Sequence, residues 1–252
     1  MVLLGLLSGC TSITDYDYLG EGTPVQLRNN LYNSVELEFS NDIGVVDIKS
    51  ETNAAYAVSV ILHIHSRDTD KYTIEEAEEL TVTTPEPNKT KISFISNPEN
   101  IGIPNYKYNL TIVVNTGITV ATDIDVSTGL VTINLKDSTI SELTLESSAG
   151  SKEIAIINCK IIDETPFIEA STGSTDISLT NLNFTVLTAR KISSSTGTID
   201  MTINGITAGS GTHSFTVSAS TGDVGIDSTL SGIGKNNSHC LNGNNNVARR
   251  SR

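Results

Sequence analysis

Acidic side chains recur at fixed positions in the second half of this chain and are its first candidates for chemistry. One set lies three residues after recurring glycines, and a second set lies four residues before them. The sets are Glu153, Asp176 and Asp200, and Asp125, Glu146 and Glu169. Columns of carboxylates could bind Ca²⁺, whereas charged and solvated outward strand positions would give the same pattern. Because Ca²⁺ takes about six to eight oxygen ligands and no dedicated loop supplies them, we predict solvated columns and no metal.

The same carboxylates do not form a recognisable catalytic set. Cleavage of a glycosidic bond needs two carboxyl groups within reach of the same bond and with separated pKa values. Here the charged residues are scattered along the repeat. The sequence also lacks a P-loop, a dinucleotide-binding glycine pattern, a zincin motif and a nucleophile elbow. We therefore predict no catalytic residue and no cofactor, with a polysaccharide-active β-helix enzyme as a remote alternative.

Two histidines, His63 and His65, would share one face of a strand because they lie two residues apart. They could occupy two positions on Zn²⁺, but zinc sites use at least three protein ligands. The remaining histidines, His213 and His239, have no meaningful spacing relative to this pair. A solvent-facing strand explains the pair as well, so we predict no metal there.

A repeated turn defines the elements that would position these side chains. Ser-Thr-Gly or Ser-Ala-Gly recurs with glycines 21, 23, 24 and 25 residues apart. Such a period indicates stacked units, since one unit cannot bury its own apolar face. Glycine suits the turn because it reaches positive φ without a Cβ clash. The predicted turn glycines are Gly129, Gly150, Gly173, Gly197 and Gly222, with an earlier copy at Gly44.

Apolar columns flank each glycine and predict two short strands per unit. The columns lie five residues before the glycine and two, four and six residues after it. This alternation turns one face of each strand inward. We predict an all-β fold: a β-solenoid, or parallel β-helix-like stack, of roughly 21–25-residue coils. Lys152 and Ser228 depart from the apolar columns, which predicts an irregular coil and a fraying C-terminal end.

A β-rich insertion separates the copy at Gly44 from the main array. Its predicted strands are 57–64, 91–95 and 108–114, and one or two helical turns are predicted over 73–80. From residue 231 onward the chain becomes rich in Gly, Asn and Ser and ends in a basic run, Arg249-Arg250-Ser251-Arg252. This composition breaks the period and predicts a disordered tail.

The first ten residues resemble a lipoprotein signal. Residues 1–7 are apolar, and Leu7-Ser8-Gly9-Cys10 is similar to a bacterial or archaeal lipobox. Cys10 would take the lipid and anchor the chain to a membrane, and a chance cysteine after an apolar run is the alternative. The apolar run is short and no Lys or Arg precedes it, so we expect a truncated start or one set too far downstream.

These signals divide the chain into four predicted segments. Residues 1–10 are the truncated signal and lipobox, and 11–34 are a polar tether, over 11–23, and first strand. Residues 35–227 are the solenoid domain, and 228–252 are the fraying end and tail. Beyond the anchor no apolar run approaches the ~20 residues that a membrane span requires.

Composition and scattered motifs limit which partners and modifications the chain can have. The chain has 16 basic and 29 acidic residues, a formal net charge of −13, which argues against nucleic-acid binding. Cys159 lies in an apolar stretch and is predicted to be a buried free thiol, with a disulfide to Cys240 as the alternative. Four sites fit the N-glycosylation acceptor pattern, although such matches arise often by chance in a chain rich in Asn, Ser and Thr. They are Asn88, Asn109, Asn183 and Asn236.

The S-T-G-x-[apolar]-x-[apolar] repeats behind a lipobox resemble the putative adhesin family, domain of unknown function 4097. The resemblance is carried by residues 127–133, 171–177 and 195–201, with 41–48 similar to that family's first repeat. It covers roughly residues 35–227. It implies a surface-exposed, β-solenoid-like domain with an adhesive or envelope role and no established catalytic residues.

Together these observations predict a non-enzymatic, lipid-anchored protein of the cell envelope that presents a solenoid face for adhesion. Its expected partners are the membrane, through the lipid on Cys10, and an envelope glycan or surface protein. The alternative is a structural or regulatory envelope protein that self-associates weakly or senses envelope stress. Uncapped strands at the ends of the stack would then be the interaction edges.

Overall fold

The computed structural model describes residues 16–28, 31–52, 54–77, 79–96, 105–162, 167–185, 189–205, 207–208, 214–229, 240–242 and 247–251. Over these ranges the chain is all-β, as predicted, with one 3-10 turn, η1 (Ile74–Glu76). Within them no helix is long and apolar enough to cross a bilayer.

The strands follow one another closely along the chain, and the longest ones run through a glycine turn without interruption. In chain order they are β1 (Asp17–Glu21), β2 (Val25–Arg28), β3 (Ser34–Glu51), β4 (Tyr56–Ser66), β5 (Thr81–Glu86), β6 (Lys89–Ile95), β7 (Tyr106–Asn115), β8 (Thr119–Lys136), β9 (Thr139–Ile157), β10 (Lys160–Ile161), β11 (Phe167–Thr172), β12 (Thr175–Thr180), β13 (Asn183–Phe184), β14 (Ala189–Thr196), β15 (Ile199–Asn204), β16 (Thr207–Ala208), β17 (Ser214–Thr221), β18 (Val224–Thr229), β19 (Cys240–Asn242) and β20 (Val247–Ser251). The strands β4, β6 and β7 confirm the three predicted for the insertion.

Parallel, in-register pairing joins the repeated units. Before the glycines, the ladder runs β3, β8, β9, β11, β14, β17 and β19. After the glycines, it runs β3, β8, β9, β12, β15, β18 and β20. A third, shorter ladder joins β9, β10, β13 and β16. Each glycine turn therefore stacks on the turn of the preceding unit.

Antiparallel strands close the N-terminal side of these ladders. The strands β6 and β7 pair with β3 on the side away from β8. Beyond them, β5 pairs antiparallel with β6 and β4 pairs antiparallel with β7. The strands β1 and β2 then pair antiparallel with β4. We call β1, β2, β4, β5 and η1 the cap.

The predicted apolar columns form the core, because alternate side chains of every ladder point to the same side. The column four residues after the glycines is buried in all five units, as Ile133, Ile154, Ile177, Met201 and Ile226. The column five residues before the glycines is buried as well, as Ile124, Leu145, Ile168, Ile192 and Val217. In the N-terminal layers, Phe94 packs edge-to-face on Tyr108 with ring centroids 4.9 Å apart.

Each turn glycine has a positive φ, and Gly150 shows why no other residue fits. Its φ is +111°, in a region that side-chain-bearing residues rarely adopt. A Cβ on Gly150 would lie 2.8 Å from the carbonyl carbon of Gly129 and closer still to its carbonyl oxygen. The stacked turns are thus in contact through their backbones. Positive φ is found at all six predicted positions, Gly44, Gly129, Gly150, Gly173, Gly197 and Gly222.

A second left-handed corner, which the sequence analysis does not predict, follows eight residues after four of the glycines. Asp137, Asn158, Asn181 and Gly205 have φ between 51° and 62°. Asn and Asp tolerate this conformation better than other non-glycine residues. The amide of Asn158 donates to Asp137 Oδ1, and the amide of Asn181 donates to Asn158 Oδ1, both at 3.1 Å. The side chains form a hydrogen-bonded ladder along the stack.

Four sequence predictions need correction in the terminal and inserted segments. The helical turns predicted over 73–80 reduce to the single 3-10 turn η1, because Ala77 is already extended. Part of the predicted tether, residues 17–21, is strand β1, paired with β4. Within the tail predicted as disordered, β19 and β20 continue the ladders, because the edges of β17 and β18 offer unpaired backbone groups to further strands. Likewise, β18 extends through Ser228 without fraying at that residue.

The prediction of an irregular coil at Lys152 is also wrong. Lys152 pairs in register with Val131 on one side and Thr175 on the other. Its side chain is fully buried in the column two residues after the glycine. The ammonium Nζ donates to the carbonyl oxygens of Gly150 and Thr172, each at 3.0 Å. A lysine therefore occupies an interior column by bonding to backbone carbonyls of two adjacent layers.

Candidate binding surface

The two predicted acidic columns lie on the outer face of the ladders. Glu153, Asp176 and Asp200 are register partners on β9, β12 and β15, and all three are exposed. Asp125, Glu146 and Glu169 are aligned in the same way on β8, β9 and β11. Since neighbouring strands are about 4.8 Å apart, each column is a line of closely spaced carboxylates.

A solvent-open groove of about 390 Å³ runs over the first of these columns. Its walls come from β8, β9, β12 and β15, so it crosses four layers. The hydroxyl and amide groups of a second outward column accompany the carboxylates in the groove. They belong to Asn134, Ser178 and Thr202. These three residues were not predicted as functional, although each lies two residues after the acidic column and therefore on the same strand face.

The carboxylates of the groove have no cationic partner within the described ranges. None of Glu153, Asp176 and Asp200 belongs to an ion pair there, and like charges directly opposite each other destabilise a sheet. The column ends where Asp200 lies against Gly225, whose missing side chain leaves space for the carboxylate. The groove therefore presents uncompensated negative charge beside neutral hydrogen-bonding groups.

The outer face of the N-terminal layers is different, because its carboxylates are paired with lysines. Lys91 contacts Glu36 at 3.0 Å and Glu38 at 3.1 Å, and Lys89 contacts Glu36 at 3.5 Å. The hydrogen bond from Lys91 is the main reason why the pKa of Glu36 is lowered. Asp123 lies opposite Glu38, and partial burial followed by the charge of Glu38 raises its pKa. The groove differs from these layers, because its carboxylates belong to no ion pair among the described residues.

The predicted histidine pair shares one face of β4, but its ring nitrogens contact protein groups. His65 Nε2 lies 3.1 Å from the amide nitrogen of Asn109, and His63 Nε2 lies 3.3 Å from the hydroxyl of Thr111. His63 Nδ1 is 3.6 Å from a carboxylate oxygen of Glu21. Burial is the largest cause that lowers the pKa of His65. Across the described residues, no three His, Cys, Asp or Glu side chains are grouped as metal ligands.

The other candidate residues are dispersed over the molecule. Asn88 lies at the exposed turn between β5 and β6, and Asn183 is exposed on β13. Asn109 is half-buried, and its side chain accepts a hydrogen bond from the backbone N–H of Val45 at 3.0 Å. Cys10, the predicted lipidation site, and Asn236 lie outside the described residues.

Cys159 is a buried free thiol, which confirms the favoured of its two predicted states. Its Sγ donates to the carbonyl oxygen of Ile157 at 3.3 Å. Burial is the largest cause that raises the pKa of this thiol. Since the thiolate is the reactive form, Cys159 is suited to packing and not to chemistry.

Comparison with known proteins gives weak structural similarities. No family model matches the chain, and no curated protein matches it in sequence. A crystal structure of a putative cell adhesion protein from Clostridium sporogenes aligns with a TM-score of 0.36 and 11% identity, over 83% of this chain and 99% of the other. A putative adhesin from Parabacteroides merdae aligns with a TM-score of 0.28 and 11% identity, over 92% and 97%. A putative adhesin from Parabacteroides distasonis aligns with a TM-score of 0.27 and 12% identity, over 90% of this chain and 96% of the other. These low scores carry no conclusion about function.

Proposed function

We propose that this chain is a non-enzymatic, lipid-anchored protein of the cell envelope that binds a partner on the outer face of a β-solenoid. The observation that carries the proposal is the groove over Glu153, Asp176 and Asp200. It crosses four layers, and its exposed carboxylates belong to no ion pair among the described residues. Stacked units create such long regular surfaces without a deep pocket, which suits recognition of an extended ligand.

The chemistry of the groove indicates what it would hold. Carboxylates accept hydrogen bonds from sugar hydroxyls and from ammonium groups, and the neighbouring Asn134, Ser178 and Thr202 can both donate and accept. An envelope glycan that carries amino groups, or a basic surface protein, would satisfy both features. A catalytic role is not proposed, since the carboxylates of the groove share one repeated environment and no separate acid and base are distinguishable.

The groove is tested by neutralising its column. In a chain with Cys10→Ser, which removes the predicted lipid, we expect saturable binding to intact cells and isolated envelope. The triple variant Glu153→Gln/Asp176→Asn/Asp200→Asn should reduce the bound fraction by about fivefold or more, because it removes the charge that attracts the partner. Binding is measured with fluorescently labelled protein and competed with unlabelled protein.

The matched control is Asp125→Asn/Glu146→Gln/Glu169→Gln, which neutralises the three carboxylates of the other column, outside the groove. It should leave binding near that of the parent. Equal losses in the two variants would show that only net charge matters, and unchanged binding in the triple variant would overturn the role of the groove.

The anchor is tested separately by fractionation of cells that express the full chain. The parent should sediment with membranes, and Cys10→Ser should move to the soluble fraction, because the thiol that would carry the lipid is lost. Thr11→Ser, a neighbouring change that keeps the cysteine, should stay with the membranes. If Cys10→Ser remained there as the parent does, the lipid anchor would be ruled out.

A further inference from the structure

A second recess lies in the cap, away from the outer-face groove. It has a volume of about 400 Å³, within the size range of ligand sites in proteins. Its floor is apolar and consists of Val25, Leu62, Ile64, Ile74 and Leu80. Leu62 and Ile64 are fully buried members of the main core. The apolar side chains that remain half-buried in this recess are Val25, Ile74 and Leu80. We call this recess the cap notch.

The notch is open because glycine lines its mouth. Gly22 donates its backbone N–H to the carbonyl of Leu62 at 2.9 Å, which fixes the position of the chain beside the floor. A Cβ on Gly22 would lie 3.5 Å from the Cβ of Leu62 and 3.7 Å from Cδ1 of Ile64, at ordinary contact distances. The backbone of Gly22 is also outside the left-handed region. A side chain there would therefore fill the notch without strain.

The rim of the notch is acidic. It carries Glu21, Glu75 and Glu79, and no lysine or arginine lines it within the described ranges. All three carboxyl-bearing residues are exposed. Glu21 has only His63 as a near basic group, at 3.6 Å, and neither Glu75 nor Glu79 belongs to an ion pair among the described residues. An apolar floor with a negative rim is complementary to an aliphatic group flanked by cations.

A free strand edge adjoins the notch. Among the described strands, β1 and β2 pair only with β4, so no other described strand occupies their second edge. Such an edge can accept an additional strand from another chain. Gly22 lies between β1 and β2, so the edge and the notch meet at the same place.

We propose that the cap notch binds an extended peptide segment of a partner protein, in which aliphatic side chains alternate with lysine or arginine. The aliphatic side chains enter the notch, the basic residues contact Glu21, Glu75 and Glu79, and the peptide backbone pairs with the edge of β1 and β2. This site is independent of the outer-face groove, and its failure would leave the proposed function of the groove intact.

The experiment measures binding of a fluorescein-labelled Lys-Leu-Lys-Leu-Lys peptide to the full chain by fluorescence anisotropy. We expect saturable binding, no binding of Glu-Leu-Glu-Leu-Glu, and at least about tenfold weaker binding of Lys-Ser-Lys-Ser-Lys, which lacks the aliphatic groups. Gly22→Leu should abolish binding while the midpoint of thermal unfolding stays the same or rises. Glu75→Gln/Glu79→Gln, on exposed residues outside the core, should weaken binding by about tenfold.

Three outcomes would overturn the cap-notch site. One is the absence of saturation at peptide concentrations up to about 1 mM, because weaker binding than this would not indicate a specific site. Another is equal binding of the leucine and serine peptides, which would reduce the effect to charge attraction. The third is equal binding by the parent and Gly22→Leu. If Gly22→Leu failed to fold, the glutamine pair would still decide whether the rim binds the peptide.

Discussion

Gly150→Ala is expected to lower the free energy of unfolding by about 3–5 kcal/mol, near the upper end for a single substitution. Two effects act together. The backbone at Gly150 has a φ of +111°, which is unfavourable for alanine. The new Cβ would also lie 2.8 Å from the carbonyl carbon and 3.0 Å from the nitrogen of Gly129. Because these are backbone atoms, no rotation of a side chain can relieve the contact.

Gly117→Ala is the matched control, since it separates the two effects. Gly117 also has a positive φ, +85°, but nothing lies within 4 Å of where its Cβ would be. Gly117→Ala should therefore lower the free energy of unfolding by only about 1 kcal/mol, the cost of the left-handed conformation. Denaturant unfolding followed by far-UV circular dichroism measures both variants. Equal losses would show that backbone contact between turns contributes nothing, and the stacking of turn on turn would need another explanation.

The stacking of the units was predictable because each column repeats one kind of residue. Ile133, Ile154 and Ile177 occupy equivalent positions, and their common burial is a direct consequence of parallel pairing in register. The acidic column of the groove was predictable in the same way. The groove itself was not, since it forms only where β8, β9, β12 and β15 lie side by side.

The pairing of the inserted strands could not be predicted, because their order in space departs from their order in sequence. Gly44 pairs with Tyr108 on one side and with Gly129 on the other, so β7 lies on the side of β3 away from β8. No repeated residue marks that pairing.

The second left-handed corner, at Asn158 and Asn181, did carry a signal in the sequence. Residues suited to the left-handed region recur at a constant distance after the turn glycines.

Lys152 shows how a charged residue at an interior position can lead to a wrong prediction. A lysine in an apolar column suggested irregular structure, yet the ladder passes through it in register. Its ammonium reaches the carbonyl oxygens of Gly150 and Thr172, which belong to successive layers. Those acceptors exist only after the layers have stacked, so the sequence around Lys152 does not reveal them.

Burial of this ammonium makes Lys152→Met an expected stabilising change. The side chain is fully buried, and burial lowers the pKa of Lys152, because the charged ammonium loses hydration on folding. Replacing the members of a buried ion pair with apolar side chains of similar volume is often neutral or stabilising by about 1–4 kcal/mol, and we expect the same sign for a buried ammonium without a carboxylate partner among the described residues. At pH 7 we expect Lys152→Met to raise the free energy of unfolding by about 1–3 kcal/mol.

The pH dependence distinguishes this cause from better packing. Lys152 has a lower pKa in the folded protein than in the unfolded chain, where a lysine titrates near pH 10.4. Below the folded pKa both states carry the proton, and the cost of burying the charge is fully present. Between the two pKa values the unfolded chain binds more protons, so the stability of the parent rises with pH. The advantage of Lys152→Met should therefore shrink as the pH approaches 10.

Lys160→Met is the control for that measurement, because Lys160 is exposed on β10. Removing an exposed lysine also takes away one positive charge but relieves no burial, so the change in the free energy of unfolding should stay within about 0.5 kcal/mol at pH 7 and at pH 10. Comparing the two variants with the parent cancels the titration of other groups. An advantage of Lys152→Met that stayed constant from pH 7 to pH 10 would assign the gain to packing. A loss of stability at pH 7 would show that the bonds to Gly150 and Thr172 outweigh the burial of the charge.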